Sequence, residues 1–123
     1  MATLDNRVFD NGLTVLDTEA NKILITSQQA TTYTEANATY ALGDSTSLSI
    51  GAPQDRSGGG REVVVAAITD GSVTATGTAT HYAIVDTVNS RLLATSTLTA
   101  SQAVTSGNTF TLSSVSIGIP DPA

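Results

Sequence analysis

The sequence predicts an all-β protein, a small antiparallel β-sandwich or jelly-roll-like domain of about eight strands with an extended N-terminal arm. Thr and Ser together make up 34 of the 123 residues, and β-branched Thr favours strands over helices. Short apolar runs separated by turn signals recur along the chain, as in sandwiches and jelly rolls. The length suits one domain. We expect an arm over 1–12, a single β domain over 13–119 and a tail over 120–123.

The first half of the chain is predicted to contain short, widely spaced elements. Residues 1–12 show no sustained hydrophobic period. The runs "LTVL" at 13–16 and "KILIT" at 22–26 favour strands, and the "DTEAN" between them favours a turn. The segment "TEANATYA" at 34–41 is compatible with a short helix. The run "SLSIGA" at 47–52 alternates as a half-buried strand does.

A β-hairpin is predicted in the middle of the chain. Its arms are "EVVVAAIT" at 62–69 and "SVTATGTA" at 72–79. Asp70 and Gly71 lie between them, and this pair of residues is typical of a type I′ turn, in which both central positions have positive φ.

The last third of the chain predicts a second hairpin and a long final strand. The runs "THYAIVD" at 80–86 and "SRLLATSTL" at 90–98 flank "TVN". After a "TSGN" turn, "NTFTLSSVSIGI" at 108–119 predicts one strand. Pro120 ends it, because proline cannot join the interior of a sheet.

Composition argues against several classes of function. The chain has five Lys and Arg against eleven Asp and Glu, a net charge of -6, whereas nucleic-acid binding depends on clustered basic residues. No apolar run approaches the roughly 20 residues of a membrane span. The first residues lack the basic and apolar regions of a signal peptide. We therefore expect no nucleic-acid or membrane partner.

The segment "DRSGGGREVVV" at 55–65 is the strongest candidate for a functional loop. It lacks the spacing, the lysine and the following helix of a phosphate-binding loop, so a loop with unusual backbone angles is the better interpretation. The neighbours Asp55-Arg56 and Arg61-Glu62 place opposite charges at both ends of a glycine hinge, and we expect the loop to contact a neighbouring protein. The candidate contact residues are Asp55, Arg56, Gly58, Gly59, Gly60, Arg61 and Glu62.

Catalysis and metal binding are not expected. His81 and Asp86 with a serine would make a hydrolytic triad only in a geometry that sequence does not supply, and the chain has no "GxSxG" motif. Cysteine is absent, so thiolate metal sites are excluded. The early acids lack the spacing of a calcium loop and are interpreted as solvated charges: Asp5, Asp10, Asp17 and Glu19. We predict that the protein is not an enzyme and holds no cofactor.

Most of the chain, from about residue 13 to 123, resembles a group of short virion proteins of tailed bacteriophages. The segments that carry the likeness are "GGGRE", "TATGTATHYAIVD", "SGNTFTL" and "IPDPA". These proteins look like capsid decoration, or cement, proteins. The resemblance implies a β body that binds the major capsid protein at the capsid surface of the virion, after assembly in the host cytoplasm.

The resemblance also implies a homotrimer, in which three copies convert weak single contacts into strong joint binding. In such a protein we expect Leu4, Val8 and Phe9 of the arm to pack against the capsid protein. An alternative is a tail or fibre module that binds host-surface carbohydrate, although only three tyrosines are available as aromatic platforms. A small hydrolase built around His81 is the third alternative.

Overall fold

The all-β class predicted from the sequence is confirmed. A computed structural model describes residues 6–120, and it describes their side chains from residue 10 onward. Within these residues the chain forms nine strands in two antiparallel sheets, one α-helix and one short π-helix. The elements in chain order are α1 (Asn6–Glu19), β1 (Lys22–Thr26), the π-helix (Glu35–Thr39), β2 (Ala41–Ser45), β3 (Gln54–Asp55), β4 (Arg61–Val65), β5 (Ile68–Val73), β6 (Gly77–Asp86), β7 (Arg91–Val104), β8 (Thr109–Leu112) and β9 (Val115–Ile119).

Residue contacts divide the chain into two compact units. The first holds α1, β3, β4 and β9, and the second holds the remaining strands and the π-helix. The sequence predicts one domain over 13–119, and the structure divides that range between two units. The sequence does not indicate this division, because neither unit is continuous in sequence. The strands of each sheet come from separate stretches of the chain.

The second unit is a six-stranded antiparallel sheet in the order β7-β6-β1-β2-β5-β8. β1 is central and is buried on both faces: Leu24 is 1% exposed and Ile25 is 0% exposed. The face that carries Leu24 is covered by a cluster that includes Ala30 and Ala36 from the segment around the π-helix. The sheet is curled, and its two outermost strands are linked. The Nε2 of Gln102 in β7 donates to the carbonyl of Thr111 in β8 at 2.8 Å.

The first unit is a helix on a small antiparallel sheet in the order β3-β4-β9. β4 pairs with β9 in a continuous register from Val65↔Val115 to Arg61↔Ile119, and α1 packs against β4. Val63 and Leu13 are almost fully buried in this unit, with 0% and 3% exposure. This packing brings residues of α1 next to the glycine loop.

The N-terminal part of the chain differs from its prediction. It is helical over Asn6–Glu19, so the extended arm is wrong from residue 6 onward and the strand at 13–16 is wrong. Leu13 and Leu16 lie three residues apart and are both buried, which is the spacing of one helix face. A four-residue apolar run does not distinguish a helix from a strand. Residues 1–5, with Leu4, and the tail residues 121–123 lie outside the described residues.

The hairpin predicted at Asp70-Gly71 is also wrong. Both residues lie inside β5, and neither has a positive φ. β4 pairs with β3 and β9, whereas β5 pairs with β2 and β8. Gly71 is required for a different reason, since a Cβ atom there would clash with the ring of Phe110 on the neighbouring strand.

Other elements match their predictions to different degrees. The strand at 22–26 and the pairing of 80–86 with 90–98 are confirmed as β1 and as β6 with β7. The short helix in 34–41 is confirmed as a π-helix. The strand at 47–52 is reduced to a single bridge, Ile50↔Val65. The final strand is divided into β8 and β9, which belong to different sheets.

Candidate interaction site at the glycine loop

The candidate site is the loop that joins β3 to β4. Gln54 lies opposite Glu62 and Asp55 lies opposite Arg61 in the antiparallel register, so the glycines form the turn of a short hairpin. Their φ values are 89° at Gly58, 106° at Gly59 and 90° at Gly60. Residues that have a Cβ atom rarely adopt positive φ values, which explains the three consecutive glycines.

Arg56 closes the loop on itself. Its backbone N–H donates to the carbonyl of Gly60 at 3.1 Å, and its carbonyl accepts from the N–H of Gly59 at 3.1 Å. Its guanidinium Nη1 also donates to the Gly59 carbonyl at 3.1 Å. The side chain crosses Gly118 of β9, where an added Cβ would lie 2.9 Å from Arg56 Cδ. The loop is therefore ordered by its own backbone and by one of its arginines.

Arg61 fastens the loop to α1. Its Nε donates to Asp10 Oδ1 at 2.9 Å, its Nη1 donates to Asp55 Oδ1 at 2.6 Å, and its Nη2 donates to the carbonyl of Pro53 at 3.1 Å. The pKa of the Arg61 guanidinium is raised, mainly by its hydrogen bonds to Asp10 and to a smaller extent by its hydrogen bond to Asp55. The side chain is only 16% exposed, so Arg61 acts as an internal anchor.

The neighbouring opposite charges at each end of the loop do not pair with each other. Arg61 pairs with Asp55 across the hairpin, not with its neighbour Glu62, and Arg56 bonds to a glycine carbonyl. Cross-strand neighbours face each other, whereas consecutive residues of a strand point to opposite faces. Glu62 instead accepts a hydrogen bond of 3.5 Å from the side chain of Gln54.

The accessible part of the site is smaller than the predicted set. The Asp55 side chain is 90% exposed, and Gly58 at the tip is exposed. Arg56, Arg61 and Glu62 are half-buried. A neighbouring protein would therefore meet the Asp55 carboxylate and the glycine backbone, while the arginines hold them in place.

The N-terminal candidates belong to a different structural context from the predicted arm. Val8 and Phe9 lie in α1, and their side chains are outside the description. Asp10, which was interpreted as a solvated charge, is an ion-pair partner of Arg61. The two residues are 51 positions apart, so no local pattern indicates the pair. A helical interpretation would have placed Asp10 near the buried face, since it precedes Leu13 by three residues.

His81 and Asp86 are not arranged as a triad. The imidazole Nδ1 lies 2.8 Å from the hydroxyl of Thr80, and Nε2 lies 3.4 Å from that of Thr97. The Asp86 carboxylate accepts from the N–H of Val88 at 2.9 Å and from the side chain of Asn89 at 2.8 Å. The bond from the Asn89 side chain is the main reason that the pKa of Asp86 is lowered. Asp86 therefore stabilises the turn between β6 and β7.

Within residues 6–120, no group of three His, Cys, Asp or Glu side chains is arranged to hold a metal ion. Among the helices in the described part of the chain, none has the length and apolar character needed to cross a membrane.

The predicted site residues do not include a long uncharged segment near the end of the chain. No ionisable side chain occurs from residue 92 to residue 120, and this segment forms most of β7 and all of β8 and β9. Much of it is exposed, including Ser96, Thr97 and Thr99 of β7. The signal was available in the sequence as a break in the distribution of charge.

Comparisons with known proteins do not place the chain in a family. No family model matches it, and no curated protein or solved structure matches it. The likeness to phage decoration proteins stays a prediction.

Proposed function

We propose that this protein is a bacteriophage capsid decoration protein that binds the outer surface of the major capsid protein shell and stabilises it. The observation that carries the proposal is the uncharged, hydroxyl-rich segment 92–120, which forms strands at the edges of both sheets. The surfaces of soluble domains normally intersperse charges of both signs, and depletion of charge is the compositional mark of an interface core. The sequence resemblance supplies the identity of the partner.

The glycine loop supports the same role. Arg61 joins the loop to α1 and to Asp55, and Arg56 closes the turn. A loop held in this way loses little conformational freedom when it binds, so more of the contact energy appears as affinity. We assign Asp55 and Gly58 to contact with the shell, and Arg61 to positioning.

The proposal includes a homotrimer. Three copies that bind neighbouring sites act as a multivalent ligand, and individually weak contacts then give strong joint binding. The net charge of -6 opposes contact between the acidic parts of the copies, which directs self-association to the uncharged strands. Sedimentation equilibrium of the free chain tests the trimer, and a mass that is not a multiple of three chains would overturn it.

Co-sedimentation with purified shells tests the function. Wild-type chain should pellet with shells and saturate them. Thr99→Lys, in the uncharged segment, should weaken binding at least tenfold. Thr69→Lys is the matched control, because Thr69 is also an exposed strand threonine but lies outside the segment. Absence of wild-type binding would overturn the function, and equal loss in both variants would overturn the role of the segment.

The predicted role of the N-terminal residues needs a narrower deletion. Removing residues 2–5 takes away Leu4 but spares α1 and Asp10. We expect weaker shell binding with an unchanged far-ultraviolet circular dichroism spectrum. Undiminished binding would exclude Leu4 from the contact.

Copy number separates a capsid role from a tail role. A decoration protein should be present in hundreds of copies per virion, and a tail or fibre module in a handful. Quantitative gel staining of purified virions against the major capsid protein gives the ratio, and a handful of copies would overturn the capsid assignment.

A further inference from the structure

Exposed strand edges usually carry a feature that prevents pairing with another chain, such as short length, irregularity or charge. Most edges among the described strands have one. β3 is only two residues long. The carbonyl of Thr111 on β8 is occupied by Gln102. On β7, residues 98–101 lie opposite the single residue Thr80, so the strand is strongly irregular.

β9 has none of these features. It pairs with β4 over its full length of five residues, from Val115 to Ile119, in a continuous register without a bulge. In the described part of the chain it has a neighbouring strand on one side only. Its sequence, "VSIGI", contains neither a charged residue nor a proline. A regular, uncharged edge of this kind is a template for another strand.

We propose that β9 pairs antiparallel with β9 of a second copy of this chain, around a two-fold axis at Ile117. The side chains of Val115, Ile117 and Ile119 share one face of the strand, while Ser116 and Gly118 share the other. Antiparallel pairing about Ile117 places Val115 opposite Ile119 of the second copy and Ser116 opposite Gly118. Apolar side chains then meet apolar ones, and small residues meet small ones, so the edge is self-complementary as a two-fold contact requires.

Burial is consistent with an incomplete apolar face. Val115 and Ile117 are half-buried, and Ile119 is 37% exposed. A second β9 would extend this face with the same three side chains and remove more of their apolar surface from water, which is favourable.

Charge favours a second copy at this edge over other parts of the surface. Two chains with a net charge of -6 repel each other, but β9 itself contributes no acidic side chain to the contact. Arg56 lies over Gly118, and its guanidinium is turned toward the carbonyl of Gly59. This two-fold contact is separate from the three-fold contact of the proposed homotrimer and would join two trimers. It goes beyond the proposed function and does not require a shell.

Single cysteine variants test the pairing and its register, because the chain has no cysteine of its own. In the proposed pair the two Ile117 Cα atoms are about 4.5–5.5 Å apart, within the roughly 4.4–6.8 Å that a disulfide spans. The two Ser116 Cα atoms are offset by two residues along the strands and are more than about 7 Å apart. Mild oxidation of Ile117→Cys should give a disulfide-linked dimer on a non-reducing denaturing gel, and Ser116→Cys should stay monomeric.

The outcomes are distinguishable. A dimer from Ser116→Cys but not from Ile117→Cys would overturn the register, and comparable dimer in both variants and in Thr97→Cys on β7 would overturn the pairing. Absence of dimer from Ile117→Cys with a native circular dichroism spectrum would also overturn it.

A second measurement needs no cysteine. Ser116→Lys places like charges across the proposed contact, so its average mass in sedimentation equilibrium should be lower than that of the wild-type chain. Thr69→Lys should leave the mass unchanged. Equal masses for Ser116→Lys and wild type would overturn the proposal even if Ile117→Cys fails to fold, and failure of shell binding would leave both readouts intact.

Discussion

The guanidinium Nε of Arg61 lies 2.9 Å from Asp10 Oδ1, and this bond joins β4 to α1 across 51 positions of the sequence. The same guanidinium bonds to Asp55 on β3. Arg61 therefore holds together three elements of its unit, and its charge is satisfied within the molecule. A side chain used in this way positions the glycine loop relative to α1 and β3.

Asp10→Asn should loosen α1. The substitution removes the negative charge that pairs with Arg61, so amide hydrogens of α1 should exchange faster than in the wild-type chain. Asp17→Asn is the control, because it removes the same charge from an exposed position of the helix. Hydrogen–deuterium exchange with peptide resolution checks the result. If exchange in α1 is the same in both variants, the ion pair does not hold the helix.

Two glycines of the loop should respond differently to alanine. Gly58→Ala should destabilise by about 1 kcal/mol, since its φ is 89° and the cost is that of a left-handed residue. Gly60→Ala should cost roughly 3 kcal/mol, because it adds a clash of Cβ with the carbonyl of Ile119. Urea unfolding measures both values. Equal destabilisation by the two substitutions would mean that β9 shifts away from the loop and so removes the clash at residue 60.

Gly71→Ala should be destabilising by about 1–3 kcal/mol, because the new methyl group meets the Phe110 ring. A double-mutant cycle identifies the cause. In a Phe110→Leu background the same substitution should cost clearly less, since the ring is gone. A turn with positive φ at Gly71 would instead give the same cost in both backgrounds, and that result would restore the hairpin predicted from Asp70-Gly71.

Acid should weaken the segment around the π-helix through Glu35. The N–H of Thr31, at 2.8 Å, and then the Thr31 hydroxyl, at 2.7 Å, lower the pKa of the Glu35 carboxyl. A lowered folded-state pKa contributes stability above the unfolded-state pKa, and that contribution is lost as pH falls through the folded-state pKa. Wild type should therefore lose more stability than Glu35→Gln between pH 7 and about pH 3.

Unfolding midpoints at the two pH values measure this effect, and Glu62→Gln controls for the loss of one carboxylate. The difference in unfolding midpoint between wild type and Glu35→Gln should be largest at pH 7 and should become smaller in acid. A difference that is constant with pH would show that the Glu35 hydrogen bonds do not depend on its charge.

Local patterns predicted the elements that local sequence can specify. The apolar run at 22–26 forms β1. The turn at 87–90 joins β6 to β7, because the Asp86 carboxylate accepts from the N–H groups that follow it. The glycines of the candidate loop were also recognisable, since three in succession indicate unusual φ values. For the turn and the glycine loop, the decisive contacts lie within a few residues of chain.

The sequence by itself determined the all-β class, the strand at the centre of the larger sheet and the glycine loop. Tertiary structure alone decided that 13–16 is helical, that Gly71 lies under Phe110 and that Arg61 pairs with Asp10. These outcomes depend on residues tens of positions apart. An apolar run that is compatible with both a helix and a strand adopts the conformation that buries its side chains. A charged side chain pairs with the opposite charge that the folded chain brings within hydrogen-bonding distance.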